Sequence, residues 1–306
     1  MSNVAVVGAG AWGTALAIHA ARAGHDVTLW ARNPALLADG FNPRLPGFSL
    51  TGVRVTGVLP GPADAVLLAV PTQHLRAVLT GWAPAGPAVL CMKGIEAGSC
   101  LLPSEVLGTL HSGTDATILT GPNFAHEVAT GLPAAAVVAG AGRDDVIAIL
   151  AGPTFRLYGN DDPVGAQLGG AAKNVIAIAA GVVMGMGLGE NARAALITRG
   201  LAELSRLVVS QGGRGETVAG LSGLGDLLLT CTGGSSRNFA YGLALGSGRF
   251  AGGTGVIEGV TTAPALVARA GRVDLPICAA VAALVSGQIT VRDAVAQLLA
   301  RPRRDE

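Results

Sequence analysis

The start of the chain places a glycine-rich turn between two apolar segments, and this arrangement restricts the possible folds more than any other feature. Residues 3–7 form a short apolar run of the kind found in buried parallel strands. Directly after it come the motif Gly8-Ala9-Gly10-Ala11-Trp12-Gly13, an alanine-rich segment over residues 14–23 that favours a helix, and a second strand over residues 25–30. This order is typical of the first βαβ unit of a dinucleotide-binding sheet.

The three glycines of the motif would have separate physical roles. Gly8 permits a tight turn, Gly10 lets the backbone approach a pyrophosphate, and Gly13 lets the helix pack closely against the strand. The N-terminus of the helix then presents unpaired amides to the phosphates. The pattern therefore predicts nucleotide binding, and a glycine turn that serves packing alone is the alternative.

The end of the second strand bears on the choice of cofactor. An NAD-preferring site usually has an acidic residue there, which accepts a hydrogen bond from the ribose 2′-hydroxyl. Here Arg32 and Asn33 follow the strand, and the next acidic residue is Asp39. Because a guanidinium can bind a 2′-phosphate, this segment favours NADP(H), or the use of both NADP(H) and NAD(H), over strict use of NAD. A surface arginine without a cofactor role is the alternative.

The rest of the first half alternates apolar strands with helices, and the second half is helical. Strands are predicted over residues 53–55, 64–70, 87–92, 117–120, 134–139 and 155–158, and helices over residues 34–40, 72–80 (with Thr72 as its cap) and 143–150. Further helices are predicted over residues 164–188, 191–211, 264–270, 279–285 and 290–300. The chain thus predicts an α/β Rossmann-type doubly wound domain over residues 1–160, followed by an all-α domain over residues 161–306.

Lys173 is the only ionisable side chain in residues 164–188. None of its helical neighbours at three and four positions is acidic, so no carboxylate on the same helix can pair with it. A helix that is apolar on nearly every side is buried, and a buried lysine without a partner is unfavourable. Lys173 is therefore either structural, through a distant ion pair or by reaching the surface, or it exchanges a proton with a ligand.

Asp226 is the candidate partner of Lys173, because it is the only charged side chain in residues 220–232, an equally apolar segment. Two isolated opposite charges in two apolar segments predict a buried pair or a shared pocket. Ser236-Arg237-Asn238 follows at a predicted helix start, where a hydroxyl, a guanidinium and a carboxamide could hold an oxyanion or a phosphate. Ser236 could equally be an ordinary helix cap.

Lys93 directly follows the predicted strand over residues 87–92. Ligands of open α/β sheets bind at the carboxyl ends of the strands, so Lys93 is better placed for function than most surface lysines. The segment Gly121-Pro122-Asn123-Phe124-Ala125 likewise follows the predicted strand over residues 117–120.

Composition excludes several classes of function. The net charge of +1 and the lack of a long basic run predict no nucleic-acid partner. The four cysteines share no metal-type spacing and no His-Cys-carboxylate cluster is present, so no metal is expected. There is no secretory signal, and the uncharged run after Lys173 is shorter than the ~20 apolar residues that span a bilayer, which predicts a soluble cytoplasmic protein. The oligomeric state stays open, with a homodimer among the alternatives.

Taken together, these segments resemble the bacterial NAD(P)-dependent glycerol-3-phosphate dehydrogenase family. The resemblance covers essentially the whole chain, through residues 8–17, 93–96, 121–125 with Glu127, 173–175, 194–200, 220–232 and 236–238. The chain departs from the family pattern at Asn123, where Ser or Thr is usual, at Arg44-Leu45-Pro46, where the family has tyrosine-leucine-proline, and at Met184, where an Asp is common.

The resemblance implies a reversible NAD(P)H-dependent reduction of dihydroxyacetone phosphate to sn-glycerol 3-phosphate, which supplies glycerophospholipid synthesis. It implies Lys173 as the proton donor and acceptor, with Asp226 as a second catalytic residue. The implied substrate contacts are Lys93, Gly121, Asn123, Lys173, Asp226, Ser236, Arg237 and Asn238. The implied cofactor contacts are Gly8, Gly10, Ala11, Trp12, Gly13, Arg32, Asn33, Lys93, Ala125, Arg237, Val256 and Glu258.

Two other functions stay open at this point. A different reductase of the same two-domain plan, such as a hydroxyacid or ketopantoate-type enzyme, would take a carboxylate in place of a phosphate. A Rossmann-type NADP(H) sensor would bind and signal without chemistry. Lys173 on a buried helix argues against the sensor, which needs no proton donor, and the whole-chain resemblance argues against the other reductases.

Overall fold

The chain contains two compact units, described here from a computed structural model of residues 1–249 and 257–301. The first unit consists of residues 1–93 and 102–167. The second consists of residues 94–101 and the described residues from 168 onward. This division lies within a helix and differs from the predicted division after residue 160, which also assigned residues 94–101 to the first domain.

The first unit is built on an eight-stranded sheet with the order β10-β9-β8-β7-β6-β1-β2-β5. The strands of the chain are β1 (Asn3–Val7), β2 (Asp26–Trp30), β3 (Phe41–Asn42), β4 (Leu45–Ser49), β5 (Val53–Thr56), β6 (Ala65–Leu68), β7 (Ala88–Leu90), β8 (Ala116–Thr120), β9 (Ala134–Ala139) and β10 (Phe155–Asn160). Neighbours in the large sheet are parallel except β8 and β9. Because β6 and β7 are completely buried, they are continuous apolar runs in the sequence.

Helices connect most of these strands. They are α1 (Ala11–Arg22), α2 (Thr72–Leu79), α3 (Pro103–Leu110), α4 (Ala125–Thr130) and α5 (Arg143–Leu150). The sequence did not predict α3 or α4. The predicted cap by the Thr72 side chain is wrong, because Pro71 occupies the N-cap position of α2 and no side chain caps the helix.

Between β2 and β5 the chain forms a short 3-10 helix, Pro34–Leu37, and then the antiparallel hairpin of β3 and β4. This hairpin, which the sequence did not predict, packs on the first unit through Leu45. Leu45 is 4% exposed and belongs to the core that also contains Leu16 of α1 and Leu29 of β2. The hairpin therefore lies beside the helix that follows the glycine-rich turn.

The second unit is helical. Its helices are the greater part of α6 (Pro163–Gly185), then α7 (Gly189–Ser210), α8 (Gly215–Ala219), α9 (Asp226–Thr232), α10 (Arg237–Gly246), α11 (Glu258–Ala270), α12 (Pro276–Val285) and α13 (Val291–Leu299). A π-helical turn, Leu221–Gly225, leads directly into α9. A Rossmann-type sheet followed by an all-α region confirms the predicted fold class.

Helix α6 is the core of the second unit. By length and composition alone it could cross a membrane, but 89% of its most apolar stretch is buried inside the protein. Glycines bring it into backbone contact with α10: a Cβ added at Gly242 would lie 2.0 Å from the Ile178 carbonyl oxygen, and one at Gly181 would lie 2.1 Å from the Phe239 oxygen. Only glycine permits the two backbones to approach this closely, and the contact brings the N-terminal half of α10 to the middle of α6.

Candidate active site

The glycine-rich turn of the first unit has the geometry of a phosphate-binding loop. Gly8 has φ +120°, and a Cβ there would lie 2.8 Å from the Ala69 backbone. A Cβ at Gly13 would lie 2.0 Å from the Gly8 carbonyl oxygen, so the third glycine is required for helix α1 to pack on the turn. A Cβ at Gly10 would meet nothing within 4 Å, so the second glycine borders open space. These are the three roles that a pyrophosphate-binding turn needs.

Other groups predicted to bind the cofactor surround this turn or follow nearby strands. The Trp12 indole nitrogen is buried and makes no hydrogen bond with the described residues. Buried donors are normally paired, so a ligand that accepts this bond would fit here. Arg32 and Asn33 are exposed directly after β2, where a cofactor ribose would lie. Ala125 is the first residue of α4.

Lys93 and Gly121 are joined by a hydrogen bond. The Lys93 Nζ donates to the Gly121 carbonyl oxygen at 2.8 Å, and Gly121 directly follows β8. The side-chain oxygen of Asn123 is buried and has no hydrogen-bond donor among the described residues. A side chain at Gly121 would collide with Ala136, because its Cβ would lie 2.9 Å from the Ala136 Cα. Lys93 therefore contacts the end of β8, and Asn123 follows Gly121 two residues later.

In the second unit, Lys173 forms a buried ion pair with Asp226. The Lys173 Nζ donates to the Asp226 Oδ1 at 2.8 Å and to the Thr230 Oγ1 at 2.9 Å. Thr230 lies one turn after Asp226 on α9, and its hydroxyl in turn donates to the Asp226 carbonyl oxygen at 2.6 Å. Lys173 is 9% exposed, Asp226 is 1% exposed and Thr230 is 2% exposed. The ammonium is therefore held in a fixed position.

An ammonium group has three protons, and these two hydrogen bonds use two of them. The third proton can be donated to a ligand. Cys231 lies in the same electrostatic environment, but burial raises the pKa of its thiol to about 12, with smaller opposing effects from Lys173, which lowers it, and Asp226, which raises it. Cys231 is thus a neutral thiol at physiological pH and a poor nucleophile, and Lys173 is the candidate proton donor of this cluster.

A chain of hydrogen bonds runs through Asn174, the residue that follows Lys173 on α6. The Gly259 N–H donates to the Asn238 Oδ1 at 2.9 Å, and the Asn238 Nδ2 donates to the Asn174 Oδ1 at 2.8 Å. The Asn174 Nδ2 donates to the Glu258 carboxylate at 3.2 Å. This chain joins the N-termini of α10 and α11 to α6 and so fixes Asn238 and Glu258 relative to each other.

Ser236 and Arg237 form the start of α10. The Ser236 hydroxyl oxygen accepts a hydrogen bond from the Phe239 N–H at 3.2 Å, so this residue is an N-cap, as the structural alternative stated. Its O–H can still donate to a ligand, because a hydroxyl both accepts and donates. Arg237 is exposed at the first position of the helix, where the helix dipole adds positive potential.

The structure thus divides the predicted site residues between the two units. The turn over residues 8–13, Arg32, Asn33, Lys93, Gly121, Asn123 and Ala125 belong to the first unit, whereas Lys173, Asp226, Ser236, Arg237, Asn238 and Glu258 belong to the second. Val256 lies outside the described residues. No group of three or more His, Cys, Asp or Glu residues that could hold a metal ion occurs in residues 1–249 and 257–301.

Sequence reasoning missed Thr230 and Asn174 as members of the site. Thr230 could have been found from its spacing, since it lies four residues after Asp226 and so on the same face of a helix. Asn174 directly follows Lys173, but its side chain contacts α10 and α11, and that contact depends on helix packing which no local pattern encodes.

Comparisons with known proteins agree over nearly the whole chain. Two family models match, that of the NAD-dependent glycerol-3-phosphate dehydrogenase N-terminus over residues 3–146 and that of its C-terminus over residues 162–296. A protein of Gluconobacter oxydans named glycerol-3-phosphate dehydrogenase (NAD(P)+) is 50% identical over an alignment of 315 positions, which covers 98% of this chain and 97% of that protein. The protein of the same name in Methylobacterium radiotolerans is 52% identical over an alignment of 323 positions, which covers 98% of this chain and 97% of that protein.

Solved structures give the same result. The crystal structure of glycerol-3-phosphate dehydrogenase from Coxiella burnetii is similar with a TM-score of 0.90 and 36% identity, covering 98% of this chain and 99% of that one. A ketopantoate reductase from Ralstonia eutropha has a TM-score of 0.60 at 18% identity, covering 97% of this chain and 99% of its own. At that identity the second likeness is one of fold alone.

Proposed function

The chain belongs to the NAD-dependent glycerol-3-phosphate dehydrogenase family, and from this premise we propose that it reduces dihydroxyacetone phosphate reversibly to sn-glycerol 3-phosphate with NAD(P)H. The product would supply glycerophospholipid synthesis. The observation that carries the proposal is the buried Lys173 ammonium, which is fixed by Asp226 and Thr230 and keeps one proton to donate.

Lys173 would act as the proton donor in the direction of reduction. The bound reduced nicotinamide supplies a hydride to the carbonyl carbon, and negative charge then develops on the carbonyl oxygen. An ammonium within hydrogen-bonding distance stabilises that charge and transfers its proton to the oxygen. Asp226 keeps the ammonium in place and compensates its charge, since both side chains are buried. In the direction of oxidation the same amine accepts the proton.

The substrate phosphate would lie at the N-terminus of α10. Arg237 provides a guanidinium there, Ser236 a hydroxyl and Asn238 a carboxamide, and the helix dipole favours an anion at the same position. Ketopantoate has a carboxylate in place of this phosphate. A carboxylate has fewer acceptor oxygens, so it would accept fewer hydrogen bonds from the same donors. Lys93, Gly121 and Asn123 are proposed as further substrate contacts from the first unit.

The proposed cofactor is NADP(H), with NAD(H) as a second cofactor. A dinucleotide would fit at the start of α1, where Gly10 borders open space and the Trp12 indole N–H makes no hydrogen bond within residues 1–249 and 257–301. Arg32 would contact the 2′-phosphate, since it is exposed after β2 where that group would lie. Gly8, Ala11, Gly13, Asn33, Lys93, Ala125, Arg237, Val256 and Glu258 complete the proposed cofactor contacts.

A spectrophotometric assay tests this function. Purified protein is mixed with NADPH and dihydroxyacetone phosphate, and the absorbance of the reduced nicotinamide is followed, with ketopantoate as the control substrate. NADPH should be oxidised with dihydroxyacetone phosphate and not with ketopantoate. If dihydroxyacetone phosphate causes no oxidation of NADPH, the proposal is rejected. An Arg32→Ala variant should lose affinity for NADPH and keep that for NADH, whereas equal losses would remove the role assigned to Arg32.

We also propose a cytoplasmic location and a small-molecule substrate, without a nucleic-acid partner and without membrane insertion. The net charge of +1 and the burial of α6 inside the protein support this assignment. A homodimer and a monomer are the alternatives for the assembly, which size-exclusion chromatography with light scattering distinguishes.

A further inference from the structure

Asn42 of the β3–β4 hairpin is hydrogen-bonded to the glycine-rich turn. Its Nδ2 donates to the Ala9 carbonyl oxygen at 3.1 Å and to the Thr14 Oγ1 at 2.6 Å. Its Oδ1 accepts from the Arg44 N–H at 2.9 Å. The side chain is 2% exposed, so these bonds are not in competition with solvent. One carboxamide thus joins the hairpin, the turn and the first helix of the unit.

The bond to Ala9 determines how the turn presents its amides. The Ala9 carbonyl and the Gly10 N–H belong to one peptide unit, and in a trans peptide the two groups point in opposite directions. Because the carbonyl is directed at Asn42, the Gly10 N–H points away from the hairpin. Without that bond the peptide could rotate, since a glycine follows it and glycine tolerates most backbone conformations.

The rest of the turn is fixed by main-chain bonds. The Gly8 N–H donates to the Trp30 carbonyl oxygen at 3.1 Å, and the Thr14 N–H donates to the Gly10 carbonyl oxygen at 3.0 Å. The Ala9 carbonyl, which lies between these two bonds, is instead held by the side chain of Asn42. The position of Asn42 is itself secured, because Leu45 of the same hairpin is buried in the core of the unit.

We propose that Asn42 is a positioning residue for the dinucleotide: it orients the Ala9–Gly10 peptide so that the turn is preorganised to bind the cofactor pyrophosphate. The inference rests on the proposed function, which assigns the turn to NADPH. It extends that function to a residue outside the glycine motif, on a hairpin between β2 and β5 that the sequence did not predict. A preorganised site binds more tightly because the loop is already ordered, so binding does not include the entropic cost of ordering it.

The test is direct titration of the full chain with NADPH, followed by steady-state kinetics. In Asn42→Ala the Kd and KM for NADPH should rise roughly tenfold, which corresponds to about 1.4 kcal/mol of binding free energy. At saturating NADPH, kcat and the KM for dihydroxyacetone phosphate should stay within about twofold of wild type, because the loss of an interaction that serves cofactor binding alone leaves kcat unchanged. Asn42→Ser serves as a second variant should Asn42→Ala not fold.

Asn3→Ala is the matched control. The Asn3 Nδ2 also donates to a loop carbonyl of the first unit, that of Pro62 at 3.0 Å, but Asn3 lies at the opposite end of β1 from the turn. A purely structural role of Asn42 would lower the thermal unfolding temperature and leave the Kd for NADPH as in Asn3→Ala, and that result would overturn the inference. If wild type itself does not bind NADPH, the proposed function fails; if wild type binds and Asn42→Ala binds equally well, only the role of Asn42 fails.

Discussion

At the scale of single residues, the proposed function depends on the charge of Lys173, which the fold buries and holds in place. Removing an ammonium from water is unfavourable unless hydrogen bonds and an opposite charge compensate it. Lys173 obtains both from α9, through the Asp226 carboxylate and the Thr230 hydroxyl. The two isolated charges in apolar segments predicted either a buried pair or a shared pocket. The structure shows a direct pair, with 2.8 Å between the Lys173 Nζ and the Asp226 Oδ1.

Replacing Thr230 by Val should reduce turnover without weakening cofactor binding. The substitution keeps the shape and removes the acceptor of one Lys173 hydrogen bond, so the ammonium becomes less well oriented. A hydrogen bond to a charged group contributes about 1.5–3 kcal/mol, so kcat should fall roughly tenfold to a hundredfold. Thr230→Ser should restore most of the loss. Stopped-flow or steady-state assays measure both, and an unchanged kcat in Thr230→Val would refute the positioning role.

At the scale of elements, the site depends on close approach of helices that only glycine allows. Helices α6 and α10 contact each other through Gly181, Gly185, Gly242 and Gly246. The same contact places Asn238 against Asn174, one turn before Gly242 on α10. Packing of this kind is visible in the sequence only as frequent glycines, which also occur in turns, so neither the contact nor the Asn174–Asn238 bond could be derived from it.

Gly242→Ala should therefore damage both stability and activity. Its Cβ would lie 2.0 Å from the Ile178 carbonyl oxygen, so the helices must separate. Overpacking of this kind lowers the free energy of unfolding by about 1–3 kcal/mol. The control is Gly108→Ala in α3, where a Cβ meets nothing within 4 Å and a gain of about 0.5–1 kcal/mol is expected. Urea unfolding measures the free energy of unfolding of the two variants. Similar changes in Gly242→Ala and Gly108→Ala would show that the close contact of the helices does not decide stability.

A second element, α12, depends on the buried carboxylate of Glu203 in α7. Its oxygens accept hydrogen bonds from the Ile277 N–H at 2.7 Å and the Cys278 N–H at 3.1 Å, at the start of α12. Burial raises the pKa of Glu203 above its ordinary value, and the two N–H groups partly oppose this increase. Since the pKa is higher in the folded state, the folded protein favours the protonated carboxyl.

The pH dependence of stability follows from that direction. The protonated Glu203 carboxyl stabilises the folded state fully below its ordinary pKa of 4.5. This contribution to the free energy of unfolding is lost as the pH rises through the higher pKa that Glu203 has in the folded state. Compared with Glu203→Gln, which does not titrate, wild type should therefore lose free energy of unfolding as the pH rises from that value toward neutrality. Urea titrations at a series of pH values test this, and a difference that is constant or grows in favour of wild type with pH would contradict it.

At the scale of the whole molecule, the sequence predicted the architecture better than its details. The glycine motif between two strands and the loss of strand signals after residue 160 were enough to predict a Rossmann-type sheet followed by helices, which is confirmed. Short elements with few apolar residues, such as β3 and α4, were missed because local patterns are weak over two to six residues. Residues 94–101 belong to the second unit, and the sequence could not predict this because the assignment depends on tertiary contacts alone.

We propose that Lys173 transfers the proton in the reduction of dihydroxyacetone phosphate, and the variant Lys173→Met tests this role. NADPH affinity is measured by titration and turnover by nicotinamide absorbance. Thermal unfolding checks that the variant is folded, because the substitution removes the ion pair between Lys173 and Asp226. The expected result is an unchanged Kd for NADPH and a loss in kcat of roughly a thousandfold, the range of general acid catalysis combined with charge stabilisation. A folded variant that retains wild-type kcat would contradict the account.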